Sequence, residues 1–199
     1  RCRTSRIVDG TCPFVRNVQE KAALLRREGY RLLIVGDASH PEVQGIMGYA
    51  GEGAGVVGNA SEVAPDSKHG KIGIVCQTTQ KESLLEKVVQ GLLPHAEELR
   101  VFNTICGATL ERQQAVMDLA PRVDGMIVIG GKNSANTGKL VEISREAGVP
   151  TLWIEHSEEL EGGWVREKEN IGIAAGASTP DWLIRQLIST LESARSPRG

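Results

Sequence analysis

The chain has 199 residues, 40% of them apolar and 24% charged, with a formal net charge of −2. That balance excludes disorder as the main state and leaves no basic excess to grip DNA or RNA, so no nucleic-acid partner is expected. The longest apolar runs, RLLIVG, GMIVIGG and IGIVC, are far too short to span a bilayer, so no membrane partner is expected either. The chain opens at Arg1 with neither an initiator Met nor an apolar leader, which reads as a fragment or a processed chain, expected in the cytoplasm. None of the cysteines Cys2, Cys12, Cys76 and Cys106 forms a CxxC pair, and disulfides are not expected.

In chain order the first helical pattern carries Phe14, Val18, Ala22 and Leu25, and strand 31–35 follows. Further strands are expected at 55–57, 71–76, 99–102, 125–129, 151–154 and 170–174. Between them lie the helical stripes Leu84, Leu85, Val88, Val89, Leu92, Leu93, then Leu140, Ile143, Ser144, Ala147, and finally Leu183, Leu187, Leu191. Strands alternating with helices, together with 23 glycines, indicate an α/β fold with parallel sheets covered by helices.

The plan is written twice. Cys12 to Gly36 and Cys106 to Gly130 are both 24 residues apart, and each glycine closes a buried strand. An offset of 94 places Ser134 on His40 and Asn136 on Glu42; an offset of 99 places NIGIAAGAST on KIGIVCQTTQ and Ser178 on Thr79. Two pseudo-symmetric lobes are therefore expected, 1–98 and 99–199, each a small mostly parallel sheet flanked by helices. The tail SARSPRG is expected to be mobile.

Loops 36–45, 76–83, 130–139 and 175–181 follow strands and precede helices, the place where open parallel sheets bind ligands. Their Ser, Thr and Asn side chains with helix N-termini suit a phosphate or diphosphate; each loop alone also reads as helix capping. No Walker A motif is present. Cys12 and Cys106 each stand at a helix start, where two thiolates could share one metal centre or simply pack. Glu42 reads as an acid–base group or a first-turn cap, and His40 as its phosphate partner or proton shuttle. His69 and His95 read as solvated loop residues, Cys76 as an inert strand-end thiol, and neither Cys2 nor His156 has an assigned partner. A cluster-free phosphometabolite-binding module and a zinc hydrolase built on Cys12, Cys106 and His40 remain open beside an iron–sulfur centre.

VDGTCPFV, SHPEVQGIMG, QTTQ, FNTICGATLERQ, GGKNSANTGKL and AGASTPD together resemble the 4-hydroxy-3-methylbut-2-enyl diphosphate reductase family, in order from about Ile7 to Leu191. The resemblance implies a three-lobed oxidoreductase of non-mevalonate isoprenoid biosynthesis, converting its diphosphate substrate to isopentenyl and dimethylallyl diphosphate. It implies a 4Fe-4S cluster on three cysteines, two of them Cys12 and Cys106. It places the proton-relay glutamate on Glu42 and its threonine partner on Thr78. Diphosphate ligands fall on His40, Ser134, Asn136 and Ser178, with Ala135 where the family often has a second serine. Ferredoxin or flavodoxin are the electron donors it implies. The family's amino-terminal lobe, with the first cluster cysteine, has no counterpart here, so the expectation is a chain of second and third lobes, incompetent as a reductase alone.

Overall fold

The computed structural model describes residues 9–62 and 69–195. Cys2 and the last four residues of the tail lie outside them. The chain divides into two compact units, Arg1–Ile105 and Cys106–Gly199.

In the first unit, α1 (Pro13–Arg27) leads to β1 (Arg31–Val35), α2 (Pro41–Ala50), β2 (Gly55–Val57), β3 (His69–Cys76), α3 (Glu82–Leu92) and β4 (Ala96–Val101). Pro13 starts α1 where its missing N–H costs nothing, and Gly29, at φ +79°, closes the helix. Val18, Ala22 and Leu25 form its buried stripe, while Phe14 is exposed. They pack with Leu32, Ile34, Val43, Ile46, Ala50 and Val75 into one core. The sheet is parallel throughout, in the order β2-β1-β3-β4. The division between units follows β4, whereas an edge at 98/99 would fall inside that strand.

The second unit contains α4 (Gly107–Leu119), β5 (Gly125–Ile129), α5 (Ala135–Glu146), β6 (Thr151–Ile154), a short α6 (Gly162–Arg166), β7 (Ile171–Ala175) and α7 (Asp181–Arg195). Its parallel sheet runs β6-β5-β7, with every residue of central β5 buried. Val116, Met126, Val128, Leu140, Val141 and Ile143 form the core on one face; Ile127, Ile129, Ile154, Val165, Leu187 and Leu191 form the other.

The ladders carry the repeat expected from the sequence. Val35 pairs with Cys76 and Ile129 with Ala175, which are the 94 and 99 offsets in register. The closing bonds match too: Gly36 N–H to Val57 O and Gly130 N–H to Ile154 O, at 3.0 and 2.9 Å. Close helix–strand approach is shared as well. A Cβ on Gly73 would meet Leu25, and one on Gly172 would meet Leu119.

Strands at 31–35, 55–57, 125–129 and 151–154 stand where the patterns place them. β3 begins earlier, so His69 is a strand residue paired with Ala96 rather than a loop residue. β4 covers 96–101 instead of 99–102: an edge strand with a solvated face lacks the apolar run that marks a buried one. β7 sits one residue later than 170–174. Leu93 falls beyond α3 and is exposed, and α7 takes Ser193, Ala194 and Arg195 of the expected mobile tail into its last turn. Among the described residues no helix is long and apolar enough to cross a membrane.

Candidate functional site

The first unit builds a carboxylate site from the ends of β1 and β3. His40 is the N-cap of α2, and its Nδ1 accepts the Glu42 N–H at 3.2 Å. A ring nitrogen that accepts is unprotonated, so Nε2 carries the hydrogen and is left to donate outward. Glu42 sits in the first turn of α2, half-buried. Its Oε1 accepts the Thr78 N–H at 2.7 Å and its Oε2 accepts the Thr78 hydroxyl at 2.8 Å. Thr78 and its neighbours Gln77 and Gln80 are all buried polar residues.

Gln77 joins the two loops. Its Oε1 accepts the Asp37 N–H at 3.0 Å, and its Nε2 donates to Thr79 Oγ1 at 3.1 Å. Its own N–H bonds the Val35 carbonyl at 2.8 Å. Burial, with the nearby Glu42 carboxylate, pushes the Cys76 thiol up to about 12, so it stays protonated and unreactive, as its strand-end position suggests. Cys12, the N-cap residue of α1, is an exposed free thiol with no side-chain capping bond.

The second unit repeats the geometry with different chemistry. Ser134 is the N-cap of α5, its Oγ accepting the Thr137 N–H at 3.3 Å. Asn136 occupies the position of Glu42, yet neither its Oδ1 nor its Nδ2 has a partner although both are buried. The Thr137 hydroxyl is likewise buried and unpartnered. It fills space that two glycines leave: a Cβ on Gly130 would lie 2.8 Å from it, and one on Gly176 would collide with it. Buried polar groups without partners are rare, because each keeps the cost of desolvation with nothing gained. The unpartnered groups of Asn136 and Thr137 are adjacent in the first turn of α5.

Ser178 is exposed on the loop after β7, while Thr179 donates its hydroxyl to the Ile129 carbonyl at 3.0 Å. Glu155 accepts the Lys132 N–H at 2.8 Å, and Glu159 accepts from Lys132 Nζ at 2.8 Å. That contact with Lys132 holds the Glu159 carboxyl below its usual range. Glu159 also accepts the His156 N–H at 3.1 Å, giving His156 the partner that its sequence context did not show. Cys106, the N-cap residue of α4, is a half-exposed free thiol without a capping bond.

The structure thus brings Glu42, Thr78 and His40 together in one unit, and Ser134 and Asn136 into one helical turn of the other. Gln77 and Thr137 were not singled out in the sequence reading. Both lie inside motifs that it quoted, QTTQ and GGKNSANTGKL, and the polar doublets there were the available signal. Among the described residues, no group of three or more His, Cys, Asp or Glu side chains gathers that could hold a metal ion. Cys12 and Cys106 suit an iron–sulfur cluster in kind, as free thiols at helix starts.

A family model described as LytB protein matches residues 1–192. The 4-hydroxy-3-methylbut-2-enyl diphosphate reductase of Aquifex aeolicus is 47% identical over 190 residues, which is 94% of this chain and 66% of that protein. The enzyme of the same name from Geobacter sulfurreducens is 47% identical, over 96% of this chain and 67% of its own length. A solved structure of (E)-4-hydroxy-3-methyl-but-2-enyl diphosphate reductase, the terminal enzyme of the non-mevalonate pathway, is 45% identical with a TM-score of 0.59, over 94% of this chain and 68% of that one. The Plasmodium falciparum E-1-hydroxy-2-methyl-but-2-enyl-4-diphosphate reductase structure is 27% identical with a TM-score of 0.82, over 92% of this chain and 58% of that one. The chain spans about two thirds of the length of the curated relatives it matches.

Proposed function

The chain belongs to the LytB protein family, and from that premise we propose that it forms the proton-handling and diphosphate-holding part of a 4-hydroxy-3-methylbut-2-enyl diphosphate reductase. The observation that carries the reading is the pair of matched helix starts. One holds a carboxylate clamped by a threonine, and the other holds a buried carboxamide with nothing to bind.

Reductive loss of an allylic hydroxyl needs a proton for the departing oxygen. Glu42 and Thr78 form a two-member relay for it. When Glu42 carries a proton on Oε2, the bond to Thr78 reverses: Oε2–H donates, Thr78 Oγ1 accepts, and the threonine's own hydrogen turns toward the substrate hydroxyl. The Thr78 N–H holds Oε1 meanwhile, so the carboxyl group does not swing. His40 donates from Nε2 to a diphosphate oxygen. Ser134 donates its hydroxyl while its Oγ still caps α5, Asn136 donates from Nδ2, and Ser178 adds a hydroxyl from the β7–α7 loop. Fixing the diphosphate positions the reacting carbon without further machinery.

Cys12 and Cys106 are the residues that would hold a 4Fe-4S cluster, which supplies electrons and a Lewis-acidic iron when bound. An electron donor such as ferredoxin or flavodoxin completes the reading, in the cytoplasm. Iron, zinc and acid-labile sulfide are assayed in anaerobically purified protein, followed by turnover of the hydroxylated diphosphate with a strong one-electron donor. Iron and sulfide that depend on both Cys12 and Cys106 support the reading. Zinc alone, or pyrophosphate binding with no iron in any preparation that contains all three family lobes, contradicts it.

A further inference from the structure

β4 runs beside β3 as far as Val101, opposite Ile74, and the last backbone rung on that side is Phe102 N–H to the Ile74 carbonyl at 2.9 Å. Backbone groups facing one neighbour recur at every second residue of a strand, so Cys76 presents the next N–H and C=O to the same side. Cys76 is fully buried, and both groups would be orphans there. Thr104 supplies both bonds. Its Oγ1 accepts the Cys76 N–H at 2.8 Å and donates its hydrogen to the Cys76 carbonyl at 2.5 Å. One side chain replaces a rung of the ladder.

Thr104 is itself buried, and its segment is anchored. Asn103 accepts the Ile105 N–H at 3.2 Å and donates to Glu82 in the first turn of α3 at 3.0 Å. Two residues after Cys76 comes Thr78, whose N–H and hydroxyl both hold Glu42. From the other side, Gln77 N–H is bonded to Val35. The backbone at 76–78 is therefore gripped from three directions, and Thr104 is the grip on the β4 side.

We propose that Thr104 is a positioning residue: by locking the β3 backbone at Cys76, it fixes where the two donors of Thr78 hold the Glu42 carboxylate. The inference rests on Glu42 acting as the acid–base group, and its test separates the two. Backbone amide exchange is measured by NMR on the 199-residue chain, free of cluster and substrate, for Thr104→Val and Thr104→Ser. Thr104→Val is expected to speed exchange at Cys76 and Thr78 by about tenfold or more while Leu33 and Ile127 keep their rates. Thr104→Ser, which keeps the hydroxyl, is expected to stay within about threefold of the parent. Unchanged exchange at Thr78 in Thr104→Val, general loosening of β1 and β3, or a Thr104→Ser variant as damaged as Thr104→Val would each overturn the proposal. If Thr104→Val does not fold, Thr104→Ser decides alone: parental protection at Thr78 supports the hydroxyl, and its loss overturns it. In a cluster-loaded reductase carrying these residues, Thr104→Val is expected to lower kcat about tenfold with KM unchanged. Faster exchange at Thr78 with parental kcat would leave the positioning role standing and remove Glu42 from the chemistry.

Discussion

The two units start from one design and end with opposite bonding states at the same position. Both open their second helix on a capping side chain, His40 in α2 and Ser134 in α5. Two residues on, Glu42 is fully engaged by Thr78, whereas Asn136 is buried with no partner at all. The 99 offset that relates β3 to β7 puts an exposed Ala177 where the first unit has the buried Thr78, and neither a hydroxyl nor a backbone N–H from that position reaches Asn136. On the proposed function, the satisfied carboxylate is the group that passes a proton, and the unsatisfied carboxamide is the group that binds, its cost of about 1–3 kcal/mol offset by the ligand.

The strongest way to break this contrast is to remove the proton. Glu42→Gln keeps an acceptor for Thr78 and the fold, and in a cluster-loaded reductase it should lower turnover by about 10²–10³-fold, with circular dichroism unchanged. Activity within a few-fold of the parent would dismiss Glu42 as the acid.

Asn136→Leu asks the opposite question of the second unit. With no bond to lose, the ligand-free chain should melt at the parental temperature or about 2–4 °C higher, while affinity for inorganic pyrophosphate falls about tenfold or more. Strong destabilisation without a binding defect would make Asn136 a structural residue.

Gly176→Ala probes the unpartnered Thr137 beside it. The new Cβ would collide with Thr137 Oγ1, so a loss of about 1–3 kcal/mol is expected in denaturant unfolding. Thr137→Ala in the same chain should recover most of it, a coupling that a double-mutant cycle reads directly. Additive losses would mean that the hydroxyl is not what fills the glycine gap.

The smallest effect concerns Cys76. Iodoacetamide at pH 8 should label Cys12 and Cys106 and spare Cys76, which is buried and held near 12. Folding retains that proton above pH 9.0, where the unfolded thiol releases it. Its contribution to stability is therefore complete below pH 9.0 and declines as pH rises toward 12. Cys76→Ala should flatten the alkaline slope of a pH–stability profile; an unaltered slope would assign it to other groups.

Much of the fold was legible because buried parallel strands announce themselves. RLLIV and GMIVI are continuous apolar runs between polar loops, and the offsets between copies reappear as ladder register. β4 was less legible because an edge strand with Glu97 and Glu98 exposed carries no such run. At the site, His40, Glu42, Ser134 and Asn136 could be named from motif and repeat. Their bonding could not: whether a buried amide is satisfied depends on what stands opposite, which is tertiary. Thr104 and Gln77 show the same limit. The role of Thr104 comes from a strand that ends one rung early, and that of Gln77 from two loops that meet.

The most direct measurement is a pyrophosphate titration of the ¹⁵N-asparagine-labelled chain followed by NMR. The account predicts a saturable shift of the Asn136 side-chain NH₂ and of the amides at the start of α5, lost in Asn136→Leu and kept in Glu42→Gln. No saturable shift at residues 133–137, or a shift that survives Asn136→Leu unchanged, would contradict it.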